Sequence, residues 1–459
     1  ATGRHDQEER LEHMTLRKLA LVPLALGLAA CTVGPDYTAP SATLATSFAE
    51  GGAAPIGDAA AQYWWRGYND RMLNDLVQQG LAQNLDIKTA ISRVKQAQAG
   101  VRATGAPALV SGTLSGGRTV SGSETSGNAG TDAASFSPAL VLDLFGGERR
   151  NREAALAALE SARLSVGEAR LTYLASLVSN YIDLRYYQNA LAILRQTIGT
   201  RRETLGLVQS QREAGAATAL DEAQANLPGY ESGFYGASYA IATLLAVPVQ
   251  TIEDRLERGA AQPYINGSAN TGVPADLLRN RPDVRAAERD LAEAVAEVGV
   301  AAADLYPSLT LSGTISDSEG FKSWSYGPRL SIPVLNRPLL QAQRDAAVAA
   351  AETAELTWRA SVLDAVEDVQ AAQSDYIRNR RAVSAYRRSV TSYERVVSLS
   401  RETYNGGTTT LLDFLDVQRS LASSRLTLAS SLRDLAASWA TLQVAAGKGW
   451  AVPPVSGGS

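Results

Sequence analysis

Gly215-Ala216-Ala217-Thr218-Ala219-Leu220-Asp221 and Gly407-Thr408-Thr409-Thr410-Leu411-Leu412-Asp413 are the stretches that decide the fold. They share Gly, Thr, Leu and Asp in register, 192 residues apart. Upstream of each glycine runs an apolar ladder at intervals of seven. Its rungs are Leu177, Leu184, Leu191, Ile198 and Leu205 in the first half, and Val369, Tyr376, Val383, Val390 and Val397 in the second. One shift maps every rung onto its counterpart, so the chain holds two structural repeats. A period of seven keeps one helical seam against a neighbour and gives left-handed supercoiling. From Leu339 to Asn405 there are 67 residues without Gly or Pro. As continuous helix they would reach about 100 Å, far longer than a globular core needs. Beyond the Gly406-Gly407 turn another ladder, Phe414, Leu421, Leu428, Leu435 and Leu442, runs back as an antiparallel partner. For the ladder residues themselves, packing is a sufficient account.

Each half also carries strand-like alternation. Leu309, Leu311 and Ile315 alternate with Thr310, Ser312, Thr314 and Ser316, and Trp324, Tyr326, Leu330 and Ile332 alternate with Ser323, Ser325, Arg329 and Ser331. Period two with one apolar face is the strand signature. The earlier half has a weaker version: Val110 and Leu114, a Gly/Ser/Thr loop at 115–135, then Phe136, Leu140, Leu142 and Leu144. The Gly-rich part of that loop, 115–130, has no Walker pattern and reads as an extracellular connection between strands. Two hairpins, about 108–144 and 308–334, give four strands. Four strands cannot close, and open edges cannot face lipid. Three chains would pool 12 strands into one barrel, within the range of bacterial barrels. The alternative is a pair of soluble hairpins whose Trp and Tyr pack on helices.

Composition removes most chemistry. The chain has 459 residues, two histidines, one cysteine and a formal charge of −4. Both histidines, His5 and His13, precede a signal-like stretch, so a processed chain has no His for general-base or metal work. A single Cys31 supports neither an internal disulfide nor structural zinc. Only carboxylate chemistry or a Ser-Lys pair is left, and no enzyme is expected. With 43 Lys and Arg against 47 Asp and Glu, no nucleic-acid partner is expected either.

Arg17 and Lys18 precede an apolar run from Leu19 to Ala30, too short for the roughly 20 residues that span a bilayer. It reads as the core of a signal peptide over 1–30, in which 1–13 is spurious if Met14 is the true start. Leu28-Ala29-Ala30-Cys31 closes it and resembles the lipobox of bacterial lipoproteins. That resemblance implies acylation of Cys31, and Thr32 in place of Asp implies sorting to the outer membrane. The other reading of Cys31 is an ordinary secretory signal ending at a chance cysteine. Division then runs 31–72 as a lipidated N-terminal segment, 73–260 and 261–446 as the repeats, and 447–459 as a tail.

After Cys31 come Val33-Gly34-Pro35-Asp36-Tyr37-Thr38-Ala39-Pro40 and Trp64-Trp65-Arg66-Gly67-Tyr68, then Leu73, Leu76 and Asn84-Leu85-Asp86. Leu142-Asp143-Leu144-Phe145-Gly146, Arg281-Pro282-Asp283-Val284, Tyr306-Pro307-Ser308-Leu309 and the stretch from Tyr404 to Gln418 follow. This ordered series resembles the NodT and OprM type of outer-membrane efflux lipoproteins in the TolC family, over residues 31–450. The resemblance implies an α + β membrane protein. It would be a homotrimer whose 12-stranded outer-membrane β-barrel, four strands per chain, continues into a long periplasmic α-helical barrel. It further implies the outer-membrane exit duct of a tripartite efflux system in a Gram-negative bacterium, a passive conduit for small molecules and drugs gated at its periplasmic tip. A periplasmic adaptor (membrane fusion) protein and an inner-membrane transporter, of the resistance-nodulation-division type, would be its partners. No cofactor is implied beyond the covalent lipid on Cys31.

On the same resemblance Gly215, Ala216, Gly407 and Thr408 belong to the adaptor-contact tips, with Thr408 or Thr218 capping the helix that follows. Asp413 and Asp416 match the acidic positions of a periplasmic constriction, where three chains would stack them into cation-favouring rings. Without the resemblance they read as solvated first-turn carboxylates favoured by the helix dipole. Tyr404 and Asp221 match the network that holds the helix pairs closed. Thr409 stands where TolC has an arginine, so that salt-bridge latch is absent. Arg201-Arg202, Arg380-Arg381 and Arg387-Arg388 read as solvated rod faces paired with Glu203 and Glu394. Trp64-Trp65 reads as packing rather than a ligand platform. Two other functions fit the rods and the anchor: an exit duct for type I protein secretion, and a non-conducting periplasmic tethering rod.

Overall fold

The computed structural model describes residues 32–51, 54–124, 127–208, 214–265 and 270–451. Two compact units emerge. Of the described residues, the first gathers 32–41, 92–163 and 286–360, and the second those of 42–91, 164–285 and 361–451. Each therefore takes segments from both sequence halves. Residues 1–31, with the signal segment and Cys31, lie outside the described residues, as does the tail beyond Ala451.

In chain order the main elements are α1 (Arg71–Gln83), α2 (Leu85–Ala103), β1 (Val110–Ser123), β2 (Gly127–Leu142), α3 (Gly147–Val208) and α4 (Ala214–Leu244). They continue as α5 (Pro274–Asn280), α6 (Pro282–Ala303), β3 (Ser308–Ser318), β4 (Phe321–Ser331), α7 (Arg337–Asn405) and α8 (Leu411–Ala445). The stretch free of Gly and Pro becomes α7, a helix of 69 residues with Pro338 in its first turn. Proline is accommodated there because the first turn has no intrahelical acceptor for its missing N–H. Rungs of the ladders are the buried seam: Leu177, Leu184, Val369, Tyr376, Val383, Phe414, Leu435 and Leu442 are all in the core. Among the described residues no helix is long and apolar enough to cross a membrane.

The sheet belongs to the first unit and is antiparallel in the order β1-β2-β3-β4. Its extent corrects the sequence reading of 115–135 as a loop. Ser115 pairs with Ser135, Thr119 with Thr131 and Ser123 with Gly127, so most of that stretch is strand. Small Gly, Ser and Ala side chains gave it no apolar alternation, yet the backbone ladder needs none. The motif near the N-terminus docks on this unit. Gly34 adopts φ +91° with its Cα face against Gly299, where a Cβ would lie 2.5 Å from the Gly299 Cα. Arg150, buried, donates to the Val33 and Gly34 carbonyls and to Asp36. Tyr37 donates to Glu288 at 3.0 Å.

In the second unit the family-like motifs are joints. Asn84 caps α2, its Oδ1 accepting from the backbone N–H of Asp86 and Ile87 at 3.0 Å each, while its amide donates to the Leu244 carbonyl. Arg281 reaches Asp283 at the start of α6, Asp368 within α7 and the carbonyl of Ala445 at the end of α8, tying three helices together. Trp64 meets Trp439 edge-on at 5.7 Å and donates to the Lys448 carbonyl, so Trp64-Trp65 is packing. Trp450 lies on α3 at Gly167, where a Cβ would stand 2.6 Å from its ring. That approach explains a glycine inside a long helix.

Lys448 is 5 % exposed and has no carboxylate on its amine; it donates to the Asn270 carbonyl at 2.7 Å and to Gln443 Oε1 at 2.9 Å. Burial pushes its pKa down to about 8. Because the unfolded chain holds this proton more tightly, stability is lowest below pH 8 and rises as pH climbs from about 8 towards the ordinary lysine value of 10.5. In thermal unfolding of the detergent-solubilised protein, that rise is expected in the wild type and absent in Lys448→Met. An equal rise in both would show that Lys448 does not cause it.

Candidate functional site

Two features stand out as surfaces that could work on something outside the protomer. The first is the sheet. Cross-strand partners in an antiparallel pair share a face, so the register sorts the side chains. One row reads Leu114, Phe136, Ile315, Trp324, the next Val110, Leu140, Leu311, Pro328, and a third Leu142, Leu309, Leu330. The opposite face carries Thr113, Ser115, Ser135, Ser137, Thr310, Ser312, Thr314, Ser316, Ser323 and Ser325. Hydroxyls there bond across strands, Ser115 with Ser135 at 2.8 Å and Ser316 with Ser323 at 2.7 Å.

The apolar face is uncovered. Leu114 is 79 % exposed, Trp324 73 % and Ile315 59 %, and Trp324 stacks on Tyr326 at 5.8 Å. A soluble hairpin would hide this surface, and no helix of the described residues does so; the soluble-hairpin alternative is therefore wrong in its premise. At one end the face closes with charge, Arg118 near Asp132 at 3.8 Å and Asp317 opposite Lys322. Below the other end, Phe145 stacks on Tyr306 at 4.7 Å, joining two of the motifs quoted above. β1 and β4 each leave one edge unpaired in the protomer.

The second feature is the turn between α7 and α8. Gly407 takes φ +73° and donates its N–H to the Tyr404 carbonyl, and Thr408 closes back on the Thr403 carbonyl with both N–H and hydroxyl. Thr408 therefore finishes α7. The cap of α8 is Thr410, whose hydroxyl accepts from the Asp413 N–H at 3.2 Å and donates to Asp413 Oδ2 at 2.7 Å. The cap is therefore Thr410, two residues beyond the Thr408 that the sequence suggests and in register with Thr218. In the other half, Gly215 and Thr218 fall inside α4, which begins at Ala214. Ala214, Ala216, Ala217 and Ala219 favour helix strongly enough to carry one glycine.

Of the residues expected at the constriction, Asp413 is held by that cap and Asp416 by Arg419 at 2.9 Å, both exposed. Tyr404 stacks flat on Phe414, 5.6 Å between ring centres and 7° between planes. Phe414 is the partner sequence reasoning placed only in a packing ladder. Asp221 is exposed on α4. The arginines also need correction. Arg201 is buried, 6 % exposed, and Glu394 pairs with Arg425 rather than with its own helix. Arg387 lies over the Tyr264 ring at 4.6 Å. Among the described residues, no group of three or more His, Cys, Asp or Glu is placed to hold a metal.

Comparison with known proteins fits these surfaces. The family model described as outer membrane efflux protein matches residues 76–231 and 273–448. Nodulation protein T of Rhizobium leguminosarum bv. trifolii is 38 % identical over 93 % of this chain and 96 % of its own. The pyoverdine export outer membrane protein OpmQ of Pseudomonas aeruginosa is 29 % identical over 90 % and 92 %. Among solved structures, the outer-membrane channel OprN superposes with TM-score 0.82 at 29 % identity, over 92 % of this chain and all of that one. The open MtrE outer membrane channel of Neisseria gonorrhoeae gives 0.83 at 24 % identity, over 92 % and 99 %, a likeness of fold. Four antiparallel strands and long paired helices, an exposed apolar sheet face and a family match over residues 76–231 and 273–448 lead to one conclusion. The chain belongs to the outer membrane efflux protein family and is an outer-membrane exit duct of the TolC type, NodT and OprM kind.

Proposed function

We propose that three copies close their sheets edge to edge into a 12-stranded barrel, with Leu114, Phe136, Ile315 and Trp324 facing lipid and the serine and threonine face lining a water-filled duct. The observation that carries this reading is a single sheet with one uncovered apolar face, one polar face and two free edges. In hydrocarbon an unpaired edge costs several kcal/mol for each unsatisfied group, so only closure makes the sheet stable there. The duct is passive and does no chemistry of its own.

In this reading a periplasmic adaptor and an inner-membrane transporter complete a tripartite system. On the resemblance to the NodT and OprM type the transporter is of the resistance-nodulation-division type, and the cargo is small molecules. The relative named for pyoverdine export supports that cargo class. Cys31 carries covalent lipid. Support comes from its neighbour: Thr32 accepts from Arg149 at 3.4 Å and Val33 donates to the Phe145 carbonyl at 3.0 Å, just past the end of β2 where the apolar face begins. The tips, Gly407 and Thr408 with Gly215 and Ala216, meet the adaptor. Asp413 and Asp416, repeated in three copies beside Tyr404 and Asp221, form the periplasmic gate; their exposure leaves them available for this.

Two experiments test the reading. Leu114→Arg is expected to cost about 2–4 kcal/mol in the bilayer and to deplete membrane-inserted trimer, while Thr113→Arg on the other face leaves assembly intact and alters conductance. Equal tolerance of both would contradict the assignment of faces. In planar bilayers the purified protein is expected to give cation-selective steps, with selectivity falling in Asp413→Asn/Asp416→Asn, since asparagine keeps the helix cap and removes the charge. Inserted trimers that conduct nothing in either form would end the duct reading.

A further inference from the structure

Where α3, α7 and α8 run together in the second unit they enclose a polar cavity of about 350 Å³. Three arginines line it, Arg201 from α3, Arg401 from α7 and Arg425 from α8. Glu394 is the one carboxylate in the lining. It accepts from Arg425 Nη2 at 2.8 Å and leaves the other donors of that guanidinium unused by this contact. Arg401 has no carboxylate partner among the described residues. Two amides complete the wall, Gln196 and Gln418. Gln418 Oε1 is buried with no hydrogen-bond partner among the described residues. An amide turned over would present its NH₂ there instead, which then needs an acceptor. The wall therefore holds three arginines, one glutamate and two amides, and with the Gln418 amide turned over its NH₂ joins the arginines as a donor into the cavity.

We propose that this cavity binds a small oxyanion, a carboxylate or phosphate group, between Arg201, Arg401 and Arg425. The guanidinium fork matches such groups with two parallel hydrogen bonds. The cavity is large enough for the head group of an organic acid, and its lining is mainly polar, with Val397, Leu421 and Ala422 as its apolar part. The surroundings reinforce it. Over residues 387–402, the part of α7 around the cavity, there are four arginines against two glutamates, so the local potential favours anions. Burial lowers the Arg201 pKa, with Glu222 opposing and Arg419 reinforcing the shift, so the charges facing Arg201 from α4 and α8 are one of each sign. Binding at this site does not depend on conduction. Its bearing on transport does rest on the duct reading, in which the site would hold anionic solutes against the helices of the conduit.

The test is isothermal titration of the purified full-length protein in detergent with inorganic phosphate at low ionic strength. Saturable binding of one phosphate per protomer is expected, with sulfate competing. Arg401→Gln, a change at an exposed helix position, should weaken it about tenfold, the loss of one charge-assisted hydrogen bond. Glu394→Gln removes the competing carboxylate and should tighten it by about threefold or more. A purely structural Arg425–Glu394 pair would not produce that gain. No saturable phosphate binding by the wild type, or affinity unchanged in both variants, would overturn the proposal. The test reads binding alone, so a channel that conducts without binding phosphate sinks this site and leaves the duct intact.

Discussion

Backbone hydrogen bonding in a medium without water is the constraint on which everything else rests. A bilayer satisfies no stray N–H or C=O, so a spanning element must pair all of them itself. This chain has no helix among its described residues that can cross, and its sheet stops at four strands with β1 and β4 open. The sheet is thus complete only in company. That one deficit accounts for the uncovered row from Leu114 to Trp324, for the hydroxyl-rich reverse face, and for a protomer whose most apolar surface lies outside its core.

The remaining contacts stiffen each unit separately. Within the first unit, Gly34 and Gly299 in close contact, Arg150 over the Val33 and Gly34 carbonyls, and Phe145 on Tyr306 fix the base of the strands. Within the second, Arg281, Asn84 and the Trp64–Trp439 contact join segments that are far apart in sequence. Residues that look like a functional signature are therefore mostly mechanical. They are motifs because a glycine without room for a Cβ, or an arginine with three acceptors, tolerates few substitutes.

What could be read from sequence followed periodicity. Seven-residue ladders gave the long helices and their buried seam, and period two gave β3 and β4, because one buried or membrane-facing side leaves a regular imprint. β1 and the outer half of β2 left none: with Gly, Ser and Ala on both faces, the strand is defined by its ladder and not by its side chains. The turn at 405–410 was legible as a glycine turn, but which threonine caps which helix depends on backbone angles that composition does not encode. Arg201 was read as solvated because it sits in a charged run, yet it is buried by helices distant in sequence. Such tertiary placement is invisible to a helical wheel. The cavity between α3, α7 and α8 was missed for the same reason.

The most direct measurement of the central claim is disulfide trapping across the free edges. Cys31 is the only natural cysteine and in this reading its thiol is acylated, so paired substitutions in the otherwise unchanged chain report cleanly. Thr113→Cys on β1 would be combined in turn with Ser323→Cys, Ser325→Cys and Gly327→Cys on β4, and membranes oxidised. If sheets close between copies, one register should give a covalent species that stops at three chains. Only monomers, or a ladder running past three, would contradict a closed three-chain barrel.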